Sequence, residues 1–293
     1  MSNTAPESRV PRGARGNAGT RFRRAGRTAG QGRAALRVFF VGGRISYRAL
    51  FNWISPVMYV TTMLGSPLFQ ILFFTYLGRY AGSRSDDFFI VGNAVQVSAM
   101  AGIYGMVMGI ANERQFGTLT PLLATPANRL AVFAGRALPN IVNGLVVSSF
   151  GFAASWLLLD FSPDAASLPA LAFVVVVTVV SCTALGMLIG SIGLRARDVF
   201  FAANLVYFLM LLFCGVNVDV DSLPGWMEAI GRSVPLTHGI EAARRVVEGA
   251  TLGDVRGLIV TEALIGIAYA VAAYVLFRFF EAESRRRASL ETF

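Results

Sequence analysis

A single histidine, two cysteines and no lysine leave this 293-residue chain few groups with which to do covalent chemistry. All 26 basic residues are arginine. A phosphate-cradling G-x-x-x-x-G-K-[ST] loop needs its lysine to hold the β- and γ-phosphates, so no such loop can be present. If a nucleotide powers the action of this chain, another polypeptide must bind it. His238 alone cannot build a histidine metal cluster. Cys182 and Cys214 lie inside apolar runs, where small buried thiols serve as packing groups. No nucleophile–base arrangement is visible. The expectation is no catalytic residue, no metal and no cofactor in this chain.

Two sets of polar residues remain to be explained. Residues 113–130, ERQFGTLTPLLATPANRL, place Glu113, Arg114 and Arg129 around a short helical stretch between two apolar runs. Thr120 can cap a helix whose first position is Pro121, where the missing N–H is harmless, and Thr118 is an equally good cap. Thr125-Pro126 stops it, because the residue before proline avoids helical geometry. Leu119, Leu122 and Leu123 form an apolar face, suited either to a tight hairpin on its own bundle or to a groove on a soluble partner. The second set lies inside the apolar runs. Asn93, Gln96, Met100 and Tyr104 share one helical stripe, and Asn204, Tyr207, Phe208 and Leu211 share another. Polar groups in hydrocarbon cost free energy unless paired. These mark interhelical hydrogen bonding, a lined route, or both.

The elements that must position these residues follow from hydropathy. The chain is 55% hydrophobic and only 15% charged, with mean hydropathy +0.58, against about a quarter charged in soluble domains. A crossing helix needs about 20 mainly apolar residues. That test gives six spans, near 55–78, 88–111, 135–159, 169–193, 199–216 and 258–280. Pro67 after Gly65 should kink the first. Residues 1–36 are Arg-rich with almost no large apolar side chains and read as a disordered tail, not as a signal peptide. Residues 37–53 read either as a basic interfacial helix or as the end of the first span. Residues 37–280 then form one membrane domain of six spans, with polar connections at 112–131 and 217–257, and 281–293 form a second tail.

Arginine placement orients the bundle. Eleven arginines precede the first span, and Arg114, Arg129, Arg136, Arg195, Arg197, Arg278 and Arg285 to Arg287 mark the same side. By the positive-inside rule both termini and the 113–130 segment are cytoplasmic. The outer segment 217–257 balances four arginines with six acids, and Trp226, Met227 and Ile230 let it dip into the interface. Two short helices broken at Gly231 to Pro235 would form either a re-entrant cap or an ordinary outer hairpin. Gly105/Gly109 and Gly186/Gly190 permit close helix contact, within the subunit rather than between subunits. Glu262, just inside the last span, is expected to pair with Arg256 or snorkel to the interface.

The string E-R-x-x-G-T-L-x-x-L-L-x-T-P, carried by Glu113, Arg114, Gly117, Thr118, Leu119, Leu122, Leu123, Thr125 and Pro126, resembles the signature of type-2 ABC-transporter permeases. These include daunorubicin-resistance-type and nodulation exporters. A second block, SLPGWMEAIGRSVPLTHGIEAARRVVEG, is similar to that family's outer segment, with Leu223-Pro224, Trp226, Pro235-Leu236, Arg244 and Gly249 as matching points. Thr120-Pro121 departs from the family's more polar residues there.

The resemblance implies an all-α fold of six spans, with an interfacial helix, a cytoplasmic coupling helix and outer re-entrant helices. It implies pairing of two permeases, identical or not, in the cell membrane, each resting on a cytoplasmic ABC ATPase. The 113–130 helix would be the lever, braced by Glu113 and Arg114. The second and fifth spans would face the dimer axis and line the route of a drug, natural product or lipid-like substrate. Export of a polysaccharide or glycolipid is the alternative within the fold. An ion-coupled transporter would need more intramembrane ionisable groups than Glu262 supplies. No feature points to nucleic acid.

Overall fold

The computed structural model describes residues 60–115, 129–193 and 199–288, with side chains described over 61–110, 135–192 and 199–280. Eight α-helices follow in order among the described residues. They are α1 (Ser66–Ala81), α2 (Asp86–Gln115), α3 (Arg129–Leu158), α4 (Leu168–Gly193), α5 (Val199–Phe213), α6 (Gly225–Ser233), α7 (Thr237–Val247) and α8 (Arg256–Ala288).

Four of these, over Asp86–Ile110, Gly135–Leu158, Leu168–Ile192 and Arg256–Phe280, are long and apolar enough to cross a membrane. The two other expected spans fall on α1 and α5. A 6-residue π turn, Val60–Gly65, runs directly into the 16-residue α1. Pro67 follows that turn at the very start of α1, where its missing N–H is tolerated. Helix α5 has 15 residues, about 22 Å of rise.

The core sits around α2, whose spanning window is 83% buried, against 17% for α8. Helix α2 packs along α3 and α4, with α1, α5 and α7 on its remaining sides, while α8 packs along α4. Helix α2 also approaches α4 closely through a glycine. A Cβ on Gly186 would stand 2.7 Å from the Ile103 Cα and 2.8 Å from its carbonyl oxygen, and Gly190 lies against the Ile110 side chain. The Gly186/Gly190 pair thus serves packing within the subunit. The other pair is split, Gly105 lying beside Asn140 while Gly109 faces open space.

Hydroxyls inside the spans are mostly satisfied within their own helix. Ser155 donates to the Gly151 carbonyl at 2.8 Å, Thr178 to Val174 at 2.9 Å and Thr183 to Val179 at 2.6 Å. Such back-bonding lets small polar residues sit where water is absent. Cys182 and Cys214 are buried free thiols in the main core.

The bundle is capped at one end. The turn between α1 and α2, the loop 159–167 and the segment 214–255 gather there, and α7 packs on α2, α4 and α8 together. Residues 116–128 and 194–198 lie outside the described residues.

Candidate functional site

The stripe on α2 and the stripe on α5 come together, with α1 completing the junction. Gln70 of α1 donates through one Nε2 to Asn93 Oδ1 at 3.0 Å and to Gln96 Oε1 at 2.8 Å. Its own Oε1 accepts the Tyr207 hydroxyl at 2.7 Å. Asn93 Nδ2 donates to the Phe89 carbonyl and, at 2.8 Å, to Asn217 Oδ1. Further along α2, the Tyr104 hydroxyl donates to Asn204 Oδ1 at 2.9 Å. Asn93 and Gln96 have no exposed surface and Met100 is buried. Tyr104, Tyr207 and Leu211 are half-buried, and Asn204 and Phe208 lie on the outer face of α5. Phe208 sets its ring edge-on to Tyr207 at 5.2 Å between centroids.

The result is a belt of carboxamides and phenols across three helices, closed inside the single chain. Its hub, Gln70, is the lone amide of α1 and was not among the residues expected from the sequence. The belt leaves one group over: the Gln96 Nε2 is buried without a hydrogen-bond partner. A buried amide donor with nothing to donate to costs about 1–3 kcal/mol.

At the capped end the segment 217–257 contains two short helices, α6 and α7, with the break at Val234 to Leu236. Pro224 precedes α6 and Pro235 is buried in the break. Trp226 is 62% exposed and meets Phe213 edge-on at 5.9 Å. Arg232 pairs with Glu228 at 2.8 Å and Asp221 at 2.5 Å, and Arg245 with Glu241 at 2.6 Å. Arg84 pairs with Asp219. These exposed pairs orient the segment and add little stability each.

Arg244 is different. Its Nε and one terminal nitrogen donate to the Phe88 carbonyl at 3.2 and 2.9 Å, and the same terminal nitrogen reaches the Val216 carbonyl at 2.9 Å. The guanidinium carbon lies 3.5 Å from the Phe88 ring centre. One side chain thus ties α7 to the start of α2 and to the chain leaving α5. Burial pulls its pKa down to about 9, which leaves it charged at neutral pH.

Glu262 overturns its expectation. It neither pairs with Arg256 nor reaches the interface; it is 1% exposed and accepts the backbone N–H of Leu236 at 2.9 Å and of Gly239 at 3.2 Å. It supplies from α8 the acceptor oxygens that cap α7, since Leu236 has no capping side chain. A carboxylate there also meets the positive end of the helix dipole. Thr178, ten residues into α4, lies against Gly239, so the start of α7 enters the bundle by about 15 Å of α4 rise.

Of the expected coupling residues, Glu113 and Arg114 close the last turn of α2 and Arg129 opens α3, all without described side chains. Gly117, Thr118, Leu119, Leu122, Leu123, Thr125 and Pro126 lie outside the described residues, as does the expected interfacial helix at 37–53. Among the described residues no group of histidine, cysteine or carboxylate side chains could hold a metal ion.

The profile of the ABC-2 type transporter family matches residues 45–247. The chain is 24% identical, over 68% of its length, to the "Probable multidrug ABC transporter permease YbhR" of Escherichia coli (strain K12), of which the match covers 54%. It is 26% identical to the "Daunorubicin resistance ABC transporter permease protein DrrB1" of Streptomyces coeruleorubidus over 66% of this chain and 70% of that one. It is 24% identical to the "Probable doxorubicin resistance ABC transporter permease protein DrrC" of Mycobacterium tuberculosis (strain ATCC 25618 / H37Rv) over 79% and 86%. The chain spans about half the length of the E. coli relative. With the family profile covering most of an apolar helical bundle, this chain belongs to the ABC-2 type transporter family of multi-pass membrane permeases.

Proposed function

We propose that this chain is the membrane subunit of an ATP-driven exporter and moves a hydrophobic or amphiphilic compound outward from the cytoplasm or inner leaflet. The observation that carries this reading is the belt joining α1, α2 and α5, in a chain whose relatives are named as drug-resistance permeases. A route lined by methionine, phenols and a few amides grips a greasy molecule with some hydrogen-bonding capacity. Gln96 Nε2, left unpaired, suits a substrate carbonyl or ether oxygen.

The remaining parts take their places around it. Both termini are cytoplasmic, and α6–α7 form a re-entrant cap over the exit, pinned by Arg244 and Glu262. The outer face of α5, with Phe201 and Phe208 exposed, meets a second permease subunit. A separate ATPase chain binds ATP and magnesium and pushes on the 113–130 helix. Closure of the ATPase pair favours one of two arrangements of the spans, and coupling follows from its differential contact with them.

The test is reconstitution with a partner ATPase in inverted vesicles, following ATP-dependent uptake of daunorubicin by its fluorescence. Uptake is expected to require the ATPase and to be lost on Glu113→Ala or Leu122→Arg while insertion into the membrane persists. Uptake without the ATPase, or unaffected by both substitutions, would overturn the proposal.

A further inference from the structure

Between the second half of α3 and the first half of α4, beneath the loop 159–167, lies a cavity of about 590 Å³. That is within the roughly 300–1,000 Å³ of small-molecule sites. Among the described residues, none of the side chains that line it is ionisable. Three are aromatic. Phe152 and Phe161 stack at 5.8 Å between ring centres, and Trp156, one turn beyond Phe152 on α3, is 66% exposed.

Two lining hydroxyls, Ser149 and Ser162, are exposed, and neither is hydrogen-bonded among the described residues. Other hydroxyls on the same two helices are back-bonded, as Ser155 is to Gly151 and Thr178 to Val174. Ser149 lies close to the middle of the apolar stretch Gly135–Leu158, a depth without water. An unpaired hydroxyl there costs free energy until a polar atom meets it.

These features favour a ring over a lipid tail. An acyl chain gains little on leaving bulk lipid, because tails and wall are equally apolar, and it brings no atom to the Ser149 hydroxyl. A flat ring gains stacked and edge contacts with the three aromatic side chains, which lipid tails do not offer. A carbonyl on its rim accepts from a serine hydroxyl. A charged group would meet no counter-charge on the wall and would be buried at a cost.

We propose that this cavity binds an uncharged, flat aromatic ketone or quinone. Its rings lie against Phe152, Phe161 and Trp156, and its carbonyl oxygens accept from Ser149 and Ser162. No residue of the belt on α1, α2 and α5 lines the cavity. The site needs only the folded bundle and stands apart from the transport reading.

The full chain is reconstituted in phospholipid vesicles with anthraquinone, whose photoexcited carbonyl abstracts hydrogen from nearby C–H bonds and cross-links there. Labelled peptides are mapped by mass spectrometry after irradiation. Adducts are expected to concentrate on residues 145–176, to saturate with probe concentration, and to be competed by fluorenone but not by hexadecane. Ser149→Ala and Trp156→Leu should each raise the half-saturating concentration about fivefold, the size of one hydrogen bond or one ring contact. Ala153→Phe, which fills the cavity, should abolish labelling there. A circular dichroism spectrum matching the parent protein shows that each variant folds. Adducts spread equally over the exposed faces of α5 and α8, hexadecane competing as well as fluorenone, or half-saturation unmoved in both Ser149→Ala and Trp156→Leu would overturn the assignment.

Discussion

The Glu262 carboxylate of α8 holds the backbone N–H of Leu236 at 2.9 Å, at a residue whose φ of 115° no leucine adopts without cost. Leu236 has no exposed surface, so packing and this one acceptor together keep the strained turn that admits α7 to the bundle. Glu262→Ala leaves two buried N–H groups without their partner and should lower stability by about 1–3 kcal/mol. Glu262→Gln keeps an acceptor and should cost less. Thermal unfolding in detergent, followed by circular dichroism, ranks the three proteins. An alanine variant as stable as the parent would show that the cap does not hold the turn.

Arg244 makes the corresponding tie on the other side of α7. Lysine keeps the charge but has no planar fork, so Arg244→Lys cannot serve both carbonyls and stack on Phe88 at once. A loss of roughly 2 kcal/mol is expected, with the segment 217–224 released first because Val216 is its anchor. Hydrogen exchange read by mass spectrometry should show faster exchange there and at the start of α2. Unchanged exchange in both places would exclude the tie.

Much of this was legible in the primary structure, and the limits have physical causes. Long charge-free runs announce spans because length and apolarity suffice, and Leu168–Gly193 was bounded to within a residue. The two stripes on α2 and α5 were readable because helical periodicity aligns their residues. That they meet through Gln70 was not, because a contact between helices depends on which faces pack, and no periodicity within one helix records it. Glu262 was misjudged for the same reason. Its partners are backbone groups 23 and 26 residues away in sequence, and only the strained turn at Leu236 brings those N–H groups to it.

His238, next to that turn, gives a pH dependence. Burial disfavours its charged form and lowers its pKa, outweighing the raising effect of Glu241, while Arg232 lowers it further. The folded protein thus holds this proton less tightly than the unfolded chain does. The stability of the neutral form is present above the ordinary histidine pKa of about 6.5 and falls as pH drops below it. His238→Gln should flatten the part of the Tm profile between about pH 7 and 5 that this residue contributes. Parallel profiles for parent and variant would refute the assignment.

The close approach of α2 and α4 makes a contrast within the glycine pairs. A methyl on Gly186 meets the Ile103 backbone, which cannot move aside as a side chain can. Gly186→Ala should force the helices apart at a cost of about 1–3 kcal/mol. Gly109→Ala meets open space and should be neutral. Comparing the two by thermal unfolding separates steric loss from any general effect of replacing glycine. Equal behaviour would mean that the approach of the two helices is not sterically set.

The belt makes the sharpest prediction, because Gln70 joins Asn93, Gln96 and Tyr207. Tyr207 reaches Gln96 only through Gln70, so each should matter less once Gln70 is gone. Gln70→Leu removes the acceptor for the Tyr207 hydroxyl and the donor to Asn93 and Gln96, stranding three polar groups in the interior. Tyr207→Phe removes one donor and leaves the remainder of the belt in place. The single variants should lower stability by about 2 and 1 kcal/mol, and the double variant by less than their sum, with a coupling of about 0.5–3 kcal/mol. If the belt also grips substrate, drug-stimulated ATPase activity of the reconstituted complex should show the same non-additivity. Strict additivity in unfolding would mean that the two residues act separately, and the belt would then be a set of unrelated contacts.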